Sequence, residues 1–299
     1  MGTSITDHYQ INRPVPFANL DVDCDNRKFL DACVIRLSAA PQPFSQDALR
    51  SLESFFDTIS RAVMSSSAAE RDHAQELLKY FEEPWETRLG MAERGFAGHG
   101  GAEDVGTWIW DAMCTDLEAL LRVGILKYIE EMPLFVEGIG NDITSDITTR
   151  IIFGPLADFT SEMLRQFPEF TAGSHQVQNF ERQVWDANNR KWTKKTVTLP
   201  IVDGKPLLLI PSAWVRSTLL MHAGRFYETS VLSYAQNEQA VVTHSGKVLK
   251  TPKHSLRMQH GLGRSRETIR AVTLRAESVG DDLIEIFRRF VADKYRPAA

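Results

Sequence analysis

A chain of 299 residues, 43% of them hydrophobic, can bury one large core or two smaller ones, which excludes disorder as its main state. It holds no run of about 18 apolar residues and opens on MGTSITDHYQ, without a basic stretch leading into an apolar one, so neither a membrane span nor a signal peptide is expected and the cytoplasm is the default location. The net charge of −5 conceals a separation: residues 1–180 carry 14 Lys and Arg against 28 Asp and Glu, whereas residues 181–270 carry 15 against 6.

In chain order, FANLDVDCDNRKFLDACVIRL alternates around Leu20, Val22 and Cys24, turns at Asp25-Asn26 and resumes from Phe29 to Leu37, which predicts a β-hairpin. Cys24, Cys33 and Cys114 show no CxxC spacing and cannot all pair, so they read as small buried hydrophobes in a reducing compartment. Ser45 followed by Leu49, Leu52, Phe56, Ile59 and Val63 at helical spacing predicts an amphipathic helix, and a second is expected over residues 68–81. GFAGHGGAEDVG, from residue 95, reads as a loop without the fixed spacing of a dinucleotide turn, and helical segments follow from about residue 107 to 130. Trp85, Trp108 and Trp110 are expected either as core anchors or as platforms for bases.

GIGNDITSDITTRII, residues 138–152, raises the first functional question. Gly138 and Gly140 free the backbone, Asp142 is placed to cap a helix, and Ser145 and Asp146 sit in its first turns. Such a start exposes N–H groups to an anion or nucleotide. Asp142 and Asp146, four residues apart on one helix face, would repel a bare phosphate but would accept one bridged by Mg²⁺. The alternative is a capped helix with no ligand. Ile143, Ile147 and Ile151 continue the helical spacing, and a break is expected at Gly154-Pro155.

Residues 176–210 read as a three-stranded antiparallel meander, turning at ANNR and at DGK. A short strand pair is expected at AVVTHSGKVL, and the last helix is marked by Leu283, Ile286, Phe287, Phe290 and Val291. The expected class is therefore α+β. Residues 1–172 form an acidic, mainly helical part with a β-hairpin, and residues 173–299 a basic part with a meander flanked by helices, the two being compatible with one compact domain.

LDVDCDNRKFLD, LFVEGIGNDITSDITTRII and LPIVDGKPLLLIPSAWV together resemble motifs of a group of bacterial proteins associated with mobile elements and phage-defence regions. The resemblance implies a setting of bacterial conflict and assigns no catalytic residue. The order helix, meander, helix resembles the core of the PD-(D/E)xK nucleases. That likeness implies Asp186 and Asp203 as Mg²⁺ ligands, with Lys205 stabilising charge on the attacking water. Against it, Asp-Gly between apolar strands is a strong hairpin signal that would put Asp203 at a tip. Arg216 to His222 resembles the short R-x4-6-H motif of HEPN ribonucleases, with Ser217 where that family has a more polar residue.

Lys194, Lys195, Lys247, Lys250, Lys253 and Arg257 are the candidate phosphate contacts of the basic block. The expected partner is accordingly nucleic acid or an acidic protein, within a homo-oligomer or multi-subunit complex, and not a membrane. Two functions remain in view: a nucleic-acid-engaging defence protein, in one version a Mg²⁺-dependent nuclease, and a non-catalytic adaptor or sensor binding a protein or a small nucleotide.

Overall fold

The computed structural model describes residues 2–90 and 102–295. The chain divides into two units, the first drawn from residues 1–111 and 140–219 and the second from residues 112–139 and 220–296. Both mix helices and antiparallel strands, an α+β architecture. No described helix is long and apolar enough to cross a membrane.

In the first unit the predicted N-terminal hairpin does not form. Strand β1 is only Phe29–Leu30, and it pairs antiparallel with β5, Val215–Arg216, nearly two hundred residues away. Asp31 then caps helix α1, Ala32–Ser38, by accepting the N–H groups of Cys33 and Val34. Ala32, Cys33, Val34 and Ile35 are all buried. A short apolar run of that kind suits a buried strand or a buried helix equally, and the Asp31 cap decides for the helix.

The amphipathic helix appears as α2, Phe44–Met64, with Leu52, Phe55, Phe56, Ile59 and Val63 inward, and α3 spans Ala68–Leu78 behind a Ser67 cap. Helix α4 covers Ala102–Ala112, and the glycine-rich residues 95–101 lie outside the described chain. Helices α5, Asn141–Ile151, and α6, Phe153–Gln166, are separated at Ile152. Gly154-Pro155 falls in the first turn of α6, where a proline displaces no helical hydrogen bond.

The meander is a sheet of β2, Gln176–Asp186, β3, Lys191–Val202, and β4, Lys205–Pro206. Its register runs from Gln176 opposite Ile201 to Asp186 opposite Lys191. Val184, Trp185, Val197 and Leu199 are buried, and α6 packs against β3. Two tryptophans pin the sheet to the helices: Trp185 Nε1 donates to Ser54 Oγ (2.9 Å) and Trp192 Nε1 to the Leu77 carbonyl (2.9 Å).

The second unit is mainly helical. A run of Ala223–Phe226, a π-helical Tyr227–Val231 and Leu232–Glu238 forms α7, followed by the short exposed hairpin of β6, Val241–Val242, and β7, Val248–Leu249. Helices α8, Arg266–Glu277, and α9, Leu283–Lys294, complete it. Phe135, Phe226 and Phe287 form its aromatic centre, with ring centroids 5.8 and 5.1 Å apart. Beside them Arg288 reaches the fully buried Glu131 at 2.6 Å and donates to the Ile125 carbonyl at 2.8 Å.

Candidate functional site

The GIG stretch builds a helix start of a different kind from the one expected. Gly138 takes φ +87°, and Gly140, not Asp142, occupies the cap position of α5. No side chain caps the helix there; Thr144 Oγ1 instead returns a hydrogen bond to the Gly140 carbonyl (2.7 Å). Ser145 is buried and accepts the Leu30 N–H at 3.0 Å, so it ties α5 to β1 and is not presented to a ligand.

One turn on, Asp146 is 6% exposed and shares its surroundings with Asp142 and Glu83. Burial, with the repulsion of those two carboxylates, pushes the Asp146 acid up to about 8, and Arg150 opposes the shift. Burial raises Glu83 as well, reinforced by Asp25 and Asp142. Near neutrality the inner carboxyl, with no bound cation beside it, is thus mainly protonated and neutral. Among the described residues no three His, Cys, Asp or Glu side chains meet in an arrangement that could hold a metal ion.

Arg150 carries the helix across to a cleft. Its Nη2 donates to the Glu83 carbonyl (2.8 Å) and its Nε to the Glu82 carbonyl, so the guanidinium is locked against the segment before Trp85. The cleft has a volume of about 370 Å³, within the range of small-molecule sites. Tyr80, Trp85 and Trp192 supply aromatic surface, Arg150 and Arg182 cations, and Glu82, Glu86 and Glu181 acceptors. Tyr80 and Trp192 lie 5.6 Å apart at 36°, and Tyr80 and Trp85 are both 43% exposed.

Glu86 is 2% exposed. Its Oε1 accepts Arg182 Nε at 3.1 Å, but its Oε2, 3.9 Å from Arg150 Nη2, has no hydrogen-bond partner. A buried carboxylate oxygen left without a donor is costly, on the order of 1–3 kcal/mol or more. Such costs are retained where a ligand supplies the missing donor.

A domain family model matches residues 10–222, about seven-tenths of the chain, and its description is a domain of unknown function, DUF8370. The chain belongs to the DUF8370 family. No curated protein and no solved structure matches it. Every residue of the aromatic cleft lies inside the DUF8370 match, whereas helices α8 and α9 lie beyond it.

Within the DUF8370 domain the nuclease arrangement is not assembled. Asp186 ends β2 opposite Lys191, and Asp203 follows the far end of β3, so about 12 residues of strand, roughly 40 Å, lie between them. Asp186 folds back on its own turn, accepting the Asn189 side-chain amide at 2.7 Å and the backbone N–H groups of Asn189 and Asn188 at 3.0 Å each, and those bonds hold its carboxyl below the usual range. Asp203 and Gly204 take φ +49° and +74° as the tip of a tight turn. Asp203 and Lys205 line a second, open cleft of about 480 Å³ with Asp23, Cys24, Asp25 and Arg88, without Asp186.

The proposed phosphate contacts are largely engaged inside the protein. Lys194 pairs with Glu181 at 2.8 Å and Lys195 with Asp158 at 2.6 Å. Lys250 donates to Asn237 (2.7 Å), Lys253 to Ser233 and the Glu228 carbonyl, and Arg257 pairs with Glu228. Lys247 stands in the exposed β6–β7 hairpin. Trp110 is 6% exposed with Arg71 stacked over it, which makes it an anchor, while Trp85 keeps the open face expected of a platform.

Proposed function

We propose that this DUF8370 protein is a non-catalytic binding module, a sensor or adaptor, whose cleft captures a planar small molecule of the nucleobase class. The observation that carries the reading is the buried Oε2 of Glu86, ion-paired with Arg150 at 3.9 Å but accepting no hydrogen bond, in a cleft edged by three aromatic rings. A base offers a face for Tyr80 or Trp85 to stack on and amino or imino hydrogens for carboxylate oxygens to accept. Hydrolysis of nucleic acid is left out of the reading because Asp186 and Asp203 do not share a site. The setting we propose is bacterial conflict, on the resemblance carried by the GIG stretch.

Trp85 and Trp192 make the test direct, since both line the cleft and both fluoresce. The monophosphates of guanosine, adenosine, cytidine and uridine are titrated into the protein, and into Trp85→Ala and Glu86→Gln variants whose fold is checked by circular dichroism. Saturable quenching by at least one nucleotide is expected, weakened about tenfold or more in Trp85→Ala, the scale of one base-stacking contact. Absence of saturable quenching by all four overturns the reading. Quenching by arginine amide alone would replace the base with a cationic ligand.

A further inference from the structure

We infer that the second unit carries a separate oxyanion site, for a phosphate group, at His222, Arg225, Arg264 and Arg266. The inference is independent of the aromatic cleft, which lies wholly in the first unit. Gly224 is where the cluster is anchored. A Cβ built there would stand 2.5 Å from Arg264 Nη2 and 2.9 Å from His222 Cε1, so a guanidinium and an imidazole crowd one methyl-sized space at the start of α7. A methyl there would push the end of the Arg264 or the His222 side chain aside.

Arg225 lies one residue further along α7, and Arg266 is the first residue of α8. Burial, followed by the charges of Arg264, Arg225 and Arg266, holds the His222 imidazole's pKa below the ordinary histidine range. Of the nearby acids, Glu228 pairs with Arg257 at 2.5 Å and Glu137 with Arg266 at 3.9 Å, and Arg266 Nε also donates to the Val136 carbonyl at 3.3 Å.

This placement contradicts what stability alone would select. Helix starts favour Asp and Glu because their exposed N–H groups carry partial positive charge. The first turn of α7 has no acid and carries Arg225; α8 is entered through Arg264, Ser265 and Arg266, with the Ser265 side chain as its cap and Glu267 as the acid of its first turn. At the positive end of α7, Arg225 adds its charge to those of Arg264 and Arg266 around His222, a repulsion that an anion would reverse. Phosphate is the oxyanion that fits, because guanidinium forks match its oxygens bidentately and a neutral histidine nitrogen can donate a further hydrogen bond.

The test uses inorganic pyrophosphate titrated into the full chain by calorimetry at constant ionic strength, with chloride as the control and with an Arg225→Ala/Arg264→Ala double variant. Saturable binding is expected, weakened about tenfold or more in the variant, the scale of two lost charge-assisted hydrogen bonds. In parallel, the His222 imidazole resonance is followed by NMR, and its titration is expected to move to higher pH when pyrophosphate is present. The variant should fold and melt no lower than the parent, since it relieves repulsion. A 5′-phosphorylated oligonucleotide is compared with the same strand bearing a 5′-hydroxyl. Tighter binding of the phosphorylated strand supports the site with a strand end as its source, and binding of pyrophosphate alone supports it with a free phosphate. No saturable heat with pyrophosphate, or equal binding by the double variant, overturns the inference.

Discussion

Replacing Asp146 by Asn removes a carboxyl that burial holds in its protonated form, and the structure sets the size and sign of the effect. The folded acid titrates at about 8 and the unfolded one at the ordinary aspartate value of 3.8. Between those values the native state binds a proton that the unfolded state has released, so stability falls as pH rises from about 4 to about 8 and levels off above. At pH 7 the difference amounts to about 4 kcal/mol, at 1.36 kcal/mol per pH unit. Asn keeps the shape and carries no charge, so Asp146→Asn should stabilise the protein at neutral pH and change little near pH 4. For a unit of this size the gain corresponds to a rise in Tm on the order of 10 °C at pH 7. Differential scanning calorimetry of both proteins from pH 4 to pH 8.5 reads it directly. A Tm difference that stays constant across the range, or a variant less stable than its parent at pH 7, would show that Asp146 is ionised in the fold and would refute the reasoning.

The remaining predictions address single contacts. Ser145→Ala strips the acceptor from the buried Leu30 N–H and should cost about 1–3 kcal/mol in urea unfolding, whereas Ser145→Thr, which keeps the hydroxyl, should cost less. Glu131→Gln leaves Arg288 buried beside an uncharged partner and should destabilise the chain by about 3–5 kcal/mol; a double replacement with Arg288→Met should recover much of that loss in a double-mutant cycle. Plasmid DNA incubated with the protein in Mg²⁺ or in EDTA should remain intact on a gel in both. Mg²⁺-dependent degradation abolished by Asp203→Ala would restore the nuclease reading. Replacing Lys194 and Lys195 together by Ala should leave the salt dependence of any nucleic-acid binding unchanged, because both already face carboxylates.

Long elements with one clear periodicity were legible in the sequence. Helix α2, the α5–α6 pair, the meander and α9 stand where the spacing of their apolar residues put them, although α5 is buried on every side from Thr144 to Ile151. The N-terminal hairpin was not legible: Phe29–Leu30 finds its partner at Val215–Arg216, and no local pattern encodes a pairing at that separation. The cleft was hidden for the same reason. Tyr80 and Glu86 flank one short segment, Arg150 comes from α5, and Arg182 and Trp192 come from two strands, so no motif spacing unites them. Trp85 alone carried a signal, as one of three tryptophans read as either anchors or platforms. The separation of Asp186 from Asp203 could have been foreseen, since a 12-residue strand between two residues fixes their distance whatever motif they imitate.

Charge asks for the same distinction between composition and position. Residues 181–270 carry a net +9, yet in the first unit Arg182, Arg190, Lys194 and Lys195 each face a carboxylate, at 3.1, 2.6, 2.8 and 2.6 Å. Their positive charge is spent on acids of the protein itself, as expected of a chain whose preceding 180 residues are strongly acidic. In the second unit Arg257 and Arg275 are likewise paired. Among the described residues Arg225 and Arg264 make no ion pair and both act on His222, whereas Arg266 pairs with Glu137 at 3.9 Å. An excess of lysine and arginine spread over a surface would attract any polyanion weakly; a guanidinium and an imidazole meeting beside one glycine favour a single oxyanion. The basic block therefore argues for a point of recognition and not for a track along a nucleic-acid backbone.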